Sequence, residues 1–518
     1  MGGLSWGLNL VVEVWRSMNY QARCALSALF AAASVSVAAP ASADVTISSW
    51  GYVSPQNPTD PWDLGLTPLV VRGGTVDVTH GGTLISPGAS VAGGLDWVGA
   101  VRVDGYGSTW INDGSINIGG DMEGQVVIRN GAAAITDDLV VGTRYSLHEG
   151  RLIVEGYDAT MTSTANTYIG HTGQGHVELK QGASLFSHNV YIGGSGGCMS
   201  CGGDVAITGS GTQWVSTGEF VLGVRSHSSL DIYRGQLFTV NARILGDDIG
   251  YMTSHASVSG WGGTWTNQGL LRVGSNYGYG TLTVGAYGTL VTEDTEIRSQ
   301  LGGGFVKVND VYASWLNSGD VTVSAIGNQY PSLLVDNGAL VSIGGLLRTA
   351  PWAGGDPYPY LGPSVRLADG ELIAGAIEVA TGNFEFAGGR LQTGSFVGDL
   401  ANTQAGELSV GEAHPSTIIA GSYSQGPGAT LSITVAGPSA LPLLQVDGDL
   451  HLDGALRLLP ADGSVSFQAG DVIAVFGWSG GLTGTLTAVD IDVPLAPGLA
   501  WDTSAVQTTG EITVVPAP

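Results

Sequence analysis

From residue 74 to residue 350, apolar and polar side chains alternate in short runs, each cut off by Gly, Asn, Asp or Ser. In VRVDGYGSTWINDGSINIG (101–119), Val101, Val103, Trp110, Ile116 and Ile118 fall on one side of three successive period-2 segments. Alternation of that kind predicts strands with one face buried, and the small and amide residues between them predict turns. No stretch holds a helical period long enough to compete.

The pattern then repeats. The same segment returns as LIVEGYDATMTSTANTYIG (152–170), VAITGSGTQWVSTGEFVLG (205–223), ASVSGWGGTWTNQGLLRVG (256–274) and VKVNDVYASWLNSGDVTVS (306–324). Its apolar marker is Trp110, Met161, Trp214, Trp265 and Trp315, spaced 50 to 53 residues apart. Between these copies lies a second half-unit, seen in GQVVIRNGAAAITDDLVVG (124–142), whose shared glycine is Gly131, Gly182, Gly235, Gly288 and Gly338; Gly82 marks an earlier copy. Each half-unit, about 25 residues long, suits one coil of a solenoid, so a full unit is two coils. Three strands per coil, hydrogen-bonded in parallel to the coils above and below at about 4.8 Å, predict a right-handed parallel β-helix. The shared glycines are expected at corners that need positive φ.

Composition agrees with an all-β chain. Glycine is 83 of 518 residues and hydrophobic residues are 43%, enough for a core without the Lys and Glu of helical proteins. Acidic residues outnumber basic ones 44 to 18, for a net charge of −26. A chain this acidic, with no basic stripe, is not expected to bind nucleic acid.

The N-terminus reads as an export signal. Arg23 opens it, Ala25 to Ala39 form an apolar segment, and Ala41-Ser42-Ala43 supplies small residues for cleavage after Ala43; Met18 is an alternative start. No later segment is apolar enough to span a bilayer as a helix. Removal of residues 1–43 leaves Cys198 and Cys201 as the cysteines of the mature chain, expected to form a small local disulfide in an oxidising compartment.

Candidate chemistry was weighed against packing. Trp-x-Asn/Ser-x-Gly recurs at Trp110, Trp214, Trp265 and Trp315. The tryptophans would either stack sugars or fill the interior while the Asn or Ser caps a turn, and Met161 in one unit favours packing. Asp137-Asp138, Asp247-Asp248 and Glu293-Asp294 fall at equivalent places. Neighbours in a strand point to opposite faces, so the pairs are expected to cap turns rather than converge. No cofactor is expected, weak Ca2+ binding by stacked carboxylates being the one alternative. His171, His176 and His188 lie close in sequence but read as exposed loop residues. The insert Ala350–Pro363, with Trp352, Tyr358 and Tyr360, is a Pro-rich junction or an aromatic ligand patch.

The units VDGYGSTWINDGSINIG and GTLTVGAYGTL closely resemble the repeat of autotransporter (type V secretion) passengers and PEP-CTERM proteins over residues 74–350. The region from NFEFAGGRLQTG (383–394) through GLAWDTSAVQTTGEITVV (498–515) is similar to the closing part of such proteins. Their Pro-Glu-Pro, membrane helix and arginine cluster are not matched by Val515-Pro516-Ala517-Pro518. The resemblance implies an exported surface or matrix protein and no known activity.

The expectation is therefore a signal (1–43), a β-helix (44–360) and a β-rich C-terminal region (361–518) that continues the solenoid or caps it as a sandwich. The expected function is a non-enzymatic structural or adhesive scaffold, extracellular or on the cell surface, with the periplasm as alternative. Its expected partners are extracellular polysaccharide or other surface proteins. The rival reading is a carbohydrate-binding or polysaccharide-degrading β-helix enzyme.

Overall fold

A computed structural model describes residues 44–518, apart from loop stretches at 49–50, 55, 57, 94–97, 144–147, 195–200, 225, 246–252, 276–277, 300–302, 326–331, 351–363, 381–383 and 462–465. The signal, Met18 and Ala43 therefore lie outside the described residues, as do Cys198, Asp247-Asp248 and the 351–363 insert.

The described residues hold strands and no helix, wound as parallel coils into a β-solenoid of about 14 turns. Each coil contributes three strands. In one, Gly99–Asp104 lies on the first face, Thr109–Asn112 on the second and Ser115–Ile118 on the third. The first face is a fourteen-stranded sheet; the other two run together into one of twenty-nine strands, because the chain passes between them with barely a break. Thr160–Ile169 and Thr264–Val273 each serve both faces through a register shift.

Register is kept by the alternation. On the first face Val101 pairs with Val126, then Leu152, Val177, Val205 and Leu230 in successive coils. All six are buried, while most of their strand neighbours, such as Arg102, Glu178 and Asp231, are open to solvent at least in part. A slip of one residue would turn this whole column outward.

The second face shows why the unit is two coils long. Its interior column reads Leu84, Trp110, Ala134, Met161, Leu185, Trp214, Leu237, Trp265, Leu290, Trp315. A tryptophan coil thus alternates with a coil bearing a smaller residue. Two residues farther along runs a buried polar column: Ser86, Asn112, Thr136, Ser163, Ser187, Ser216, Thr239, Asn267, Thr292, Asn317. A buried indole N–H needs an acceptor, and each tryptophan finds it in the preceding coil. Trp110 Nε1 donates to Ser86 Oγ at 3.0 Å, Trp214 to Ser187 at 3.1 Å, Trp265 to Thr239 at 2.9 Å and Trp315 to Thr292 at 2.8 Å. Three of those hydroxyls pass their own proton to the Asn of the tryptophan's coil: Ser86 to Asn112, Thr239 to Asn267, Thr292 to Asn317. Tryptophan coils therefore carry Trp-x-Asn, or Trp-x-Ser at Trp214, and light coils carry Leu-x-Ser/Thr, or Ala-x-Thr at Ala134.

The shared glycines do not all have one cause. Gly131, Gly182 and Gly338 take positive φ (80°, 88° and 77°), as the corner reading required. Gly235 and Gly288 do not. There only the residue before turns, Arg234 at φ 62° and Tyr287 at φ 61°, whereas Asn130, Gln181 and Asn337 turn together with the glycine that follows them (55°, 59° and 51°). Gly288 is held by crowding: a Cβ would sit 2.2 Å from the Val258 carbonyl oxygen of the previous coil.

Parallel pairing continues across residue 360. Leu340–Ala350 pairs with Glu371–Val379, and the second-face column runs on through Leu372, Leu391, Leu408, Leu431 and Leu456. At the N-terminal end Asp44–Ser48 lies antiparallel on Thr75–Thr79. At the other end Val472–Ala474, Leu499–Asp502 and Glu511–Pro516 form a small antiparallel cap. Both close sheet edges that would otherwise recruit another chain.

Candidate functional site

The sequence-derived tryptophans are not available to a ligand. Trp110, Trp214, Trp265 and Trp315 are 0% exposed, and Met161 lies in the same column. The Asn of the motif caps the following turn, Asn112 Nδ2 to Gly114 O at 2.8 Å and Asn267 Nδ2 to Gly269 O at 2.7 Å. The motif is a piece of the core.

The acidic pairs likewise serve turns. Asp138 Oδ1 accepts the backbone N–H of Asn166 in the next coil at 3.1 Å. Asp294 Oδ1 takes that of Asp320, and Asp320 Oδ1 that of Leu346. Asn189 and Asn241 do the same for Glu219 and Leu270. This outer ladder satisfies N–H groups at the corner between the second and third faces, where the strands separate. Among the described residues no three His, Cys, Asp or Glu side chains gather as metal ligands. Cys201 is buried and disulfide-bonded.

Most outward cations pair with carboxylates one coil away. Arg129 meets Asp104 at 2.7 Å, Arg272 meets Glu296 at 2.8 Å, Arg243 meets Glu219 and Arg348 meets Glu378. The densest group is on the first face, where Glu149, Arg151, Gln174, His176, Glu178 and Asp204 line a shallow depression. Partial burial would raise the Glu178 carboxyl. Hydrogen bonds from His176 (2.9 Å), Arg151 and Lys180 (3.3 Å) outweigh it and hold the group down to about 2. A carboxylate fixed in its ionised form cannot serve as a general acid near neutrality, and it is a feeble base.

A second feature was missed in the sequence. At the corner between the first and second faces, aromatic rings stand in solvent: Tyr106, Tyr157, Tyr233, Trp261, Tyr287 and Tyr312. The last three occupy consecutive coils and touch. Trp261 and Tyr287 have centroids 5.7 Å apart, and Tyr287 and Tyr312 are stacked at 5.1 Å. The earlier tyrosines lie over glycines of the following coil: a Cβ on Gly182 would meet the Tyr157 ring at 2.4 Å, and one on Gly131 would meet Tyr106 at 3.1 Å. The signal was present in GYGS, GYDA, GWGG and DVYA, where an aromatic residue occupies the turn itself and so belongs to neither alternating face.

Fold and surface together define a capped β-solenoid with paired outward charges and one aromatic corner. No family model and no curated protein matches the chain.

Proposed function

We propose that the chain is an exported, non-enzymatic scaffold of the cell surface or extracellular matrix. The observation that carries this reading is coil-to-coil repetition in which most of the described carboxylates are already engaged. Carboxylates accept N–H groups at turns or pair with cations of the next coil. A catalytic centre requires one coil to differ from its neighbours, with titratable groups poised near working pH. The residues suited to that role, around Glu178, are bound to one another. A stack of mutually satisfied coils suits display, adhesion or spacing in a matrix.

The test pairs fractionation of cells expressing the full chain with incubation of purified protein on neutral and acidic polysaccharides, followed by reducing-end and unsaturated-product assays. The scaffold reading expects the protein outside the cytoplasm and no depolymerisation. Depolymerisation abolished by Glu178→Gln, or retention of the chain in the cytoplasm, would refute it.

A further inference from the structure

We propose that the corner strip formed by Trp261, Tyr287 and Tyr312 binds a neutral polysaccharide chain laid along successive coils. This deepens the scaffold reading and rests on it, by naming what the scaffold holds.

The turn does not need these rings. In other coils the same corner is built by Asn130-Gly131, Gln181-Gly182, Ser210-Gly211 and Asn337-Gly338. Tyr287 and Tyr312 sit at φ 61° and 65°, a region where a bulky side chain is strained and where Gly or Asn would be at ease. Nor does the core need them, for Trp261 is 76%, Tyr287 44% and Tyr312 67% exposed. Three large rings held in solvent on adjacent coils, two of them against backbone preference, mark a binding surface.

The lining selects the occupant. On the second-face side the strip is edged by Thr264, Thr289 and Ser314, with Ser314 Oγ donating to Thr289 Oγ1 at 3.2 Å. On the first-face side the strands end in Ser259, Val284 and Asn309. Apart from Val284 and the exposed Val311 these are uncharged hydroxyl and amide groups; Lys307 and Asp310, of opposite sign, flank one end, and Arg234, whose side chain lies beside Gly260, the other. Aromatic platforms edged by neutral hydrogen-bonding groups suit the C–H faces and hydroxyls of sugars. A chain of net charge −26 disfavours acidic polymers. One ring per coil, with centroids 5.1 and 5.7 Å apart, follows the coil repeat, so a chain laid along the coils meets the exposed part of each ring in turn. The rings therefore form a ladder along which such a chain can lie.

The experiment uses the full purified chain, the triple variant Trp261→Asn/Tyr287→Asn/Tyr312→Asn, and affinity electrophoresis and pelleting with soluble and insoluble neutral glucans, xylan and mannan. Pectate and alginate serve as acidic polymers. Asn tolerates the left-handed turn, and unchanged circular dichroism and melting verify the fold of the variant. The expected result is retention by at least one neutral polymer that high salt leaves intact, weakened at least about tenfold in the variant, with quenching of Trp261 fluorescence. The proposal is overturned by no binding across the neutral panel, by equal binding of the variant, or by salt-sensitive binding to acidic polymers alone. It is also overturned by strip-dependent self-association in sedimentation, which would make a second copy the occupant. Binding accompanied by cleavage would sink the scaffold reading while leaving the strip intact.

Discussion

Thr239 is the position where the two-coil logic is easiest to break. Its hydroxyl accepts the indole proton of Trp265 at 2.9 Å and donates to Asn267 Oδ1 at 2.8 Å, with all three side chains buried. Thr239→Val keeps the shape and removes the oxygen. Trp265 Nε1 then has no acceptor in a dry interior, and Asn267 Oδ1 loses a donor. Each stranded group costs about 1–3 kcal/mol, so the variant is expected to lose roughly 2–6 kcal/mol. Trp265→Phe leaves Thr239 still bonded to Asn267 and loses ring volume, for about 1–3 kcal/mol. In the double variant no indole N–H remains to be stranded. The two losses should therefore fall short of additivity by about 1–2 kcal/mol. A stacked array need not unfold as one unit, so the assay is hydrogen exchange followed on peptides spanning 236–267, with peptides around 101–129 as a remote reference. Additive losses, or a Thr239→Val cost below about 0.5 kcal/mol, would refute the claim that the indole acceptor dictates the alternation of coils.

Gly269→Ala would place a Cβ 2.7 Å from Asn241 Oδ1 and 2.9 Å from the Val240 carbonyl. It should cost about 2–3 kcal/mol in chemical denaturation, while Gly437→Ala, with open space around it, should stay within about 0.5 kcal/mol of the parent. The Glu178 carboxyl is lowered on folding from 4.5 to about 2, so its stabilisation is present above pH 4.5 and is lost as pH falls towards 2. The stability gap between the parent and Glu178→Gln, roughly 1–3 kcal/mol near neutrality after solvent screening, should close over that window. A gap that persists at low pH would contradict the assignment. For Cys201, alkylation without reductant followed by peptide mass spectrometry should leave it unlabelled and recover a linked 198–201 peptide; a labelled Cys201 would refute the bond.

Two periods were superimposed in the sequence, and only one of them was easy to read. The strand period of two placed Val101, Trp110 and Ile118 inside, because one buried face imposes strict alternation on each short run. The 51-residue period located Trp110, Met161, Trp214, Trp265 and Trp315, yet its cause was hidden. The acceptor for each indole lies 23 to 27 residues earlier, and only the winding of one coil brings it near. The glycines were legible as corners but not as two mechanisms. Whether the glycine turns along with the residue before it, as at Asn130-Gly131, or stays out of positive φ, as at Tyr287-Gly288, depends on how closely the preceding coil presses, which a linear pattern does not carry. The same blindness hid the aromatic strip, since a turn residue belongs to neither face and alternation says nothing of where it points. Trp352, Tyr358 and Tyr360 drew notice by composition alone.

The end of the tryptophan column supports the causal order. After Trp315 and Asn317 the register continues to Val341 and Ile343, and then to Leu372 and Ala374. Both columns turn apolar at the same coil. If the polar column existed to cap corners, it would persist, because the corner between the second and third faces persists through Glu371–Val379. It breaks instead where the indole N–H ends, and the hydroxyl that returns two coils later, Thr393, caps its own turn at Ser395 O. Ser86, Ser187, Thr239 and Thr292 thus serve tryptophan, whereas Thr136, one coil before Met161, donates to Gly114 O and Thr393 to Ser395 O; a hydroxyl is kept where it has a partner, and one without would only burden the interior. Ile343→Thr puts a hydroxyl where no indole waits and should destabilise its coil. Joined to Leu372→Trp, which supplies an indole one coil later, part of that loss should return. A pair no more stable than the sum of its single changes would show instead that the two columns merely coincide.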